Sequence, residues 1–378
     1  MTHQIAPTPS AVPTSPEPGS PPSAAAGLHP LLPALLADDW ASVDPSLPPL
    51  LDLLFARSAG EAWHKAGTFK NHLLDVYRTL ALWDQPRDVR ILGLFHSVYS
   101  NEFVDLKLFD ADSKRAELAA VVGDEAERLI HTFCVMPRTK FTRDLIELDA
   151  IAAGGMELET AAGRKLHLSQ KDAAIFAIVS IADLAEQWHS WVDDVFQGYP
   201  YQTRQPVKAN WAASLWPGPL MPSAEAWSLA SRMAWPLRHL PPELGLPVPP
   251  VFARCTRVID TADEVAAVAL YWQVVTRAHA ISTPAAAITL LKTAISHNPD
   301  VAEPHLILAQ IALTQDDFDT AAQHARAGLD ILTHWGTAWD KRVAWSGWVA
   351  WARVLLQAGQ TRRWPENLGG MIALGMVG

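Results

Sequence analysis

The sequence has only two cysteines in 378 residues, Cys134 and Cys255. So few and so far apart, they build neither a disulfide framework nor a cysteine-rich zinc site, and the expected compartment is a reducing cytoplasm. Positive charge is also short. With 30 Lys and Arg against 40 Asp and Glu, the formal net charge is −10. Such a chain has no basic stripe to neutralise phosphates, which argues against nucleic acid as a partner. No apolar run is long and clean enough to span a bilayer, so no membrane partner is expected. The opening MTHQIAPTPSAVPTSPEPGSPPSAAAG lacks the basic start and unbroken apolar stretch of a signal peptide. Its proline and serine density reads as a disordered tail over residues 1–27.

What is present is apolar and mainly helical. Hydrophobic residues make up 49% of the chain, enough at this length to bury a core in each of two domains. The expected division is a helical domain over 28–198, a proline-rich linker over 199–252 and a second helical domain over 253–378. HPLLPALLADDW and LPPLLDLLFARSAG read as short helices leading in. TFKNHLLDVYRTLALW carries Phe69, Leu73, Val76, Leu80 and Trp83 at helical spacing, and Pro86 opens the next helix, PRDVRILGLFHSVY. A third helix, GDEAERLIHTFCV, has acids in its first turn and stops before Pro137. ELETAAGRKLHLS reads as a small β-hairpin around Gly163. Ser169 and Asp172 then form a start signal for a long buried helix that contains Asp183. Prolines recur from about Tyr199 to Phe252 and rule out long helices there.

Three residues in this first domain are polar where their helices are apolar: His72, His96 and Asp183. A buried carboxylate must be paired or bound to a cation, and a buried imidazole needs a partner for each nitrogen. Two imidazoles and a carboxylate can satisfy one another around a divalent transition metal that keeps open positions.

Their order, NHLLDVY, then GLFHS, then IADL, resembles the HD-domain superfamily. That superfamily is a helical bundle carrying a histidine, a His-Asp pair and a distant aspartate. The resemblance covers roughly residues 60 to 195 and implies metal ligation by His72, His96 and Asp183. The longer wording GTFKNHLLDVYRTLALW…RILGLFHSVYSNEF…GDEAERLIHTFCVMPR also looks like a largely uncharacterised domain-of-unknown-function family with the same outline. Position 97 departs from the superfamily, with serine where it has aspartate. A serine hydroxyl is a poor ligand at neutral pH, so the paired-metal phosphohydrolase site is not expected. The remaining set suits a mononuclear iron, manganese or zinc ion. Oxygenase-like and hydrolytic chemistry on a small molecule both stay open.

Glu102 falls near the working acid of some HD hydrolases, so the resemblance makes it a candidate general base, with Asp105 beside it. Arg138 and Lys140, after a helix end, are candidates to hold a substrate anion. His131 is a further ligand candidate, better read as a core or interface histidine. Gln187, one turn after Asp183, is placed to orient it.

The last third resembles tetratricopeptide repeats over roughly residues 265 to 358. Leu308, Ala309, Phe318, Ala321 and Ala325 occupy small or apolar positions, and a 34-residue step back reaches Val274, Val275, Ala287 and Leu291. HWGTAWDKRVAWSGWVAWARVLL adds tryptophans expected to seal the end of the helical stack; the alternative is a surface for a partner peptide or a cover for the first domain's pocket. If the missing aspartate abolished the chemistry, the chain would instead be an inert bundle whose helical repeats bind a protein partner.

Overall fold

The computed structural model describes residues 28–64, 67–104, 106–160, 163–187, 226–249, 251–252, 259–276 and 283–364. The chain is mainly helical with two small antiparallel sheets, as its hydrophobic periodicity implies. The expected tail over 1–27 lies outside the described residues, as do Asp105, Trp188 and Trp191 and most of the proline-rich stretch. Among the described residues, no helix is long and apolar enough to cross a membrane.

Three short helices, α1 (Leu32–Leu36), α2 (Trp40–Val43) and α3 (Leu47–Phe55), lead in. Strands β1 (Trp63–His64) and β2 (Gly67–Thr68) form a two-residue ladder that delivers the chain to α4 (Phe69–Leu82). Thr68 starts that helix by accepting the Asn71 N–H, and α5 (Arg87–Phe95) follows directly after Pro86. Periodicity alone extends α5 to Tyr99. The helix instead ends at Phe95, with His96 as its C-cap and a turn beyond, because the His96 ring bonds back to the Gly93 carbonyl.

Two short helices escape the periodicity reading, α6 (Arg115–Val122) and α8 (Arg138–Leu145). Between them runs the expected α7 (Asp124–Val135), with Asp124, Glu125 and Glu127 in its first turn. Strands β3 (Met156–Glu159) and β4 (Lys165–Leu168) make the expected hairpin. Ser169 Oγ accepts the Asp172 N–H and starts α9 (Gln170–Gln187). Twelve of the 18 residues of α9 are buried, so it forms the spine of the first unit and packs on both α4 and α5.

Gly93 sets the distance between α4 and α5. A Cβ there would lie 2.2 Å from Leu80 Cδ1 and 3.3 Å from Val76 Cγ1, so any side chain at this position must push the Leu80 and Val76 side chains aside. The proline-rich stretch holds a nine-residue helix, α10 (Ala226–Ala234), which packs on α9. Helices α11 (Thr261–Thr276), α12 (Pro284–His297), α13 (Glu303–Thr314), α14 (Phe318–Trp335) and α15 (Trp345–Thr361) then pack consecutively on one another. Of the small and apolar positions of the sequence pattern, Val274, Ala287, Leu291, Leu308, Ala309, Ala321 and Ala325 are buried, and Val275 and Phe318 are half-buried.

The C-terminal helices touch the first unit directly. Trp83 Nε1 donates to the His334 carbonyl at 2.7 Å, and Lys341 Nζ donates to the Ala185 carbonyl at 2.9 Å. Trp227 of α10 stacks on Trp335 with centroids 3.7 Å apart. Trp345 bonds the Leu332 carbonyl and lies under the Arg78 guanidinium. These aromatic side chains both seal the C-terminal helices and join them to α4 and α10.

Candidate functional site

His72 projects from α4, His96 from the end of α5 and Asp183 from α9, and all three are buried. His72 Nε2 lies 3.2 Å from His96 Nε2 and 3.3 Å from Asp183 Oδ1, while His96 Nε2 and Asp183 Oδ1 are 3.6 Å apart. The triangle has a physical cause in the second nitrogen of each ring. His96 Nδ1–H donates to the Gly93 carbonyl at 2.7 Å, and His72 Nδ1–H donates to the Glu186 carboxylate. Each outer bond fixes the tautomer that turns an Nε2 lone pair toward Asp183.

Asp183 is held on both oxygens. Arg138 Nη2 donates to Oδ2 at 2.5 Å, and the Gln187 amide donates to Oδ1 while its nitrogen lies 3.2 Å from His72 Nε2. The Phe133 and Phe103 ring centroids lie 4.6 and 5.4 Å from the guanidinium carbon.

Three lone pairs facing one another in a buried space repel unless a cation or proton lies among them. In the metal-free chain that role falls to His72. Burial lowers its pKa, but Glu186 and Asp183 outweigh burial and raise it to about 9. Burial also depresses His96, to about 4, because Asp183 offsets it only in part. For Asp183, burial works upward, yet His96, Arg138 and His72 keep its carboxyl well below the usual range.

The same atoms fit a metal ion. Donors about 2.0–2.1 Å from an ion at tetrahedral angles stand about 3.4 Å apart, and at octahedral angles about 3.0 Å apart. The three observed separations fall around those values. Neutral imidazole and carboxylate are ligands for iron, manganese and zinc alike, and three protein ligands leave positions open.

A cavity of about 680 Å³ opens on the cluster, within the size range of small-molecule sites. Ser97, Arg138 and Ser180 line it near the ligands, and Val104, Ile146, Leu184, Leu229 and Met233 give it apolar walls. Helix α10 supplies two of those side chains, so part of the proline-rich stretch shapes the site. On the other side of His72 lies a more polar cavity of about 450 Å³, with Asp75, Arg78, Glu186 and Lys341 in its wall.

His72, His96, Asp183, Arg138 and Gln187 are therefore brought together. Glu102 is not. Its carboxylate is exposed and accepts the Thr139 N–H at 2.9 Å, capping the start of α8. Lys140 pairs with Asp144 one turn on, and His131 packs edge-on against Tyr99 at 5.9 Å, away from the cluster. Ser97 is buried, and its hydroxyl oxygen accepts the Asn101 amide at 2.8 Å. Two residues escaped the sequence reading. Glu186 carried a signal, standing one turn after Asp183 on the same buried helix. His64, whose ring lies 4.6 Å from that of His72, carried none, because it enters from the two-residue strand β1, too short to show a pattern.

Over residues 53–138 the chain is similar to a family whose model is described as Domain of unknown function (DUF6817). That span includes His72, His96 and Arg138, whereas Asp183, Glu186 and Gln187 lie beyond it. No curated protein and no solved structure matches the chain.

Proposed function

We propose that the chain is a metal-dependent enzyme with a mononuclear site of His72, His96 and Asp183, acting on a small molecule in the adjoining cavity. The observation that carries this reading is the pair of outer bonds, from His96 to Gly93 and from His72 to Glu186, which aim both Nε2 lone pairs at one carboxylate oxygen. In the metal-free chain a proton on His72 fills that space, and a divalent ion taking its place would meet all three donor atoms at once. The order of the three residues along helices of one bundle supports an HD-like outline with serine at position 97. The buried small residues of α12 to α14 support tetratricopeptide-like pairing in the C-terminal part.

The residues divide the work. Glu186 and the Gly93 carbonyl orient the two imidazoles, Arg138 and Gln187 fix the carboxylate, and Val104, Ile146, Leu184, Leu229 and Met233 exclude water from the cavity. A bound ion supplies Lewis acidity and open coordination positions, for oxidation with iron or hydrolysis with zinc or manganese.

The test is a titration of chelator-stripped protein with Fe(II), Mn(II) and Zn(II), followed by nitric oxide added to the Fe(II) form. One ion per chain and a spin-3/2 iron–nitrosyl signal are expected, since nitric oxide needs an open position. Failure of all three metals to bind overturns the proposal. Binding without the nitrosyl signal would mean a closed, structural site.

A further inference from the structure

Arg138 stands beside the ligand cluster with most of its donors unused. It lines the cavity, is only 8% exposed, and among the described residues makes one hydrogen bond, through Nη2 to Asp183. A guanidinium carries five N–H donors in a rigid plane, so four remain. The Phe133 and Phe103 rings lie 4.6 and 5.4 Å from the guanidinium carbon. Asp183 meets one edge of the cation and no other nitrogen of Arg138 is buried without a partner, so its remaining N–H groups open to the cavity where a ligand can reach them.

The remaining wall sets the rest of the ligand. Val104, Ile146, Leu184, Leu229 and Met233 offer no hydrogen-bonding side chains, and the polar groups among them are the hydroxyls of Ser97, Thr139, Thr142 and Ser180, the Gln187 amide and the His64 ring. The other cation lining the cavity, Arg143, has a side chain 67% exposed and stands at the rim. Arg138 is thus the one cation away from the rim among the described lining residues, which suits a single negative charge better than a phosphate dianion. A carboxylate matches two parallel N–H groups of one guanidinium.

We propose that the cavity binds a small amphipathic monocarboxylic acid, its carboxylate on the free edge of Arg138 and its apolar body along Leu184, Leu229 and Met233. This substrate class rests on the metal-site reading, since it places the acid beside His72, His96 and Asp183. The contact with Arg138 is nevertheless measurable without any metal.

The experiment titrates octanoate, 1-octanol and inorganic phosphate calorimetrically into the full chain, both metal-stripped and Mn(II)-loaded, with Mn(II) stoichiometry measured separately. Octanoate should bind both forms, with octanol and phosphate weaker by about tenfold or more, the worth of one charge-assisted hydrogen bond. Two variants keep the result specific. Arg138→Lys retains the charge beside Asp183 but loses the planar fork, and Met233→Trp fills the apolar wall. Each should weaken octanoate by about tenfold or more. Octanoate affinity unchanged in both variants, or equal to that of octanol or phosphate, overturns the proposal. Mn(II) uptake without octanoate binding overturns the substrate class alone. Octanoate binding that depends on Arg138 in a chain that takes up no Mn(II) upholds the acid site and removes the metal reading.

Discussion

At the scale of single residues, His72 carries the strongest consequences. Its pKa, raised to about 9, means that below this pH an incoming metal must displace a proton. Apparent Mn(II) or Zn(II) affinity should therefore fall about tenfold per unit as pH drops below about 9, and an affinity flat between about pH 6 and 8.5 would contradict a ligand role for His72. The sign for stability runs the other way. In the metal-free chain, a histidine raised above its ordinary 6.5 adds stability that is present below 6.5 and lost as pH rises through about 9. His96, depressed to about 4, adds stability that is present above 6.5 and lost as pH falls through 4. Metal-free protein should thus melt highest between these limits, as a pH series of thermal melts will show. Glu186→Gln keeps a side chain of the same shape but removes the charge that orients His72. We expect metal affinity to drop about 10- to 100-fold with helicity unchanged, measured by competition with a chelator. The three proposed ligands were legible in the sequence because each is polar on an otherwise apolar helix face. The cap that Glu102 makes on α8 was not, because its position relative to His96 says nothing about which way its loop folds.

At the scale of elements, the site depends on how closely α4 and α5 approach. Gly93 serves this twice, by leaving no Cβ to meet Leu80 and by offering its carbonyl to His96. Gly93→Val should separate the helices and cost roughly 1–3 kcal/mol in chemical denaturation, as overpacking of a tight core does. Metal uptake should fall in the same variant. Unchanged stability would mean that the two helices tolerate a wider spacing. Amphipathic helices such as α4 and α7 were readable from their apolar period, and α9 from its start signal and long apolar run. Helix α10 was not, since the many prolines around it masked a nine-residue stretch that is amphipathic in its own right. The C-terminal limit of α5 was likewise set by a side-chain bond from His96 that no periodicity encodes.

At the scale of the whole molecule, the C-terminal helices are part of the first unit's support. Gly336 has φ +67°, and its carbonyl accepts from Arg78 Nε and Thr79 Oγ1 on α4, the helix that carries His72. Lys341, half-buried and lowered by desolvation to about 8 despite the pull of Glu186 and Asp75, reaches the Ala185 carbonyl next to Glu186. Contacts of this kind join residues about 150 to 260 positions apart, which is why the sequence showed two regions but not how they meet. The full chain should therefore unfold in one calorimetric transition, and two well-separated transitions would show that the contacts do not couple the parts. Central to every scale is the convergence of His72, His96 and Asp183 on one ion, and elemental analysis of protein purified without chelators tests it most directly. About one iron, manganese or zinc per chain is expected, lost in His72→Ala and in His96→Ala while helicity persists. Metal-free wild-type protein, or equal metal content in both variants, would contradict the account.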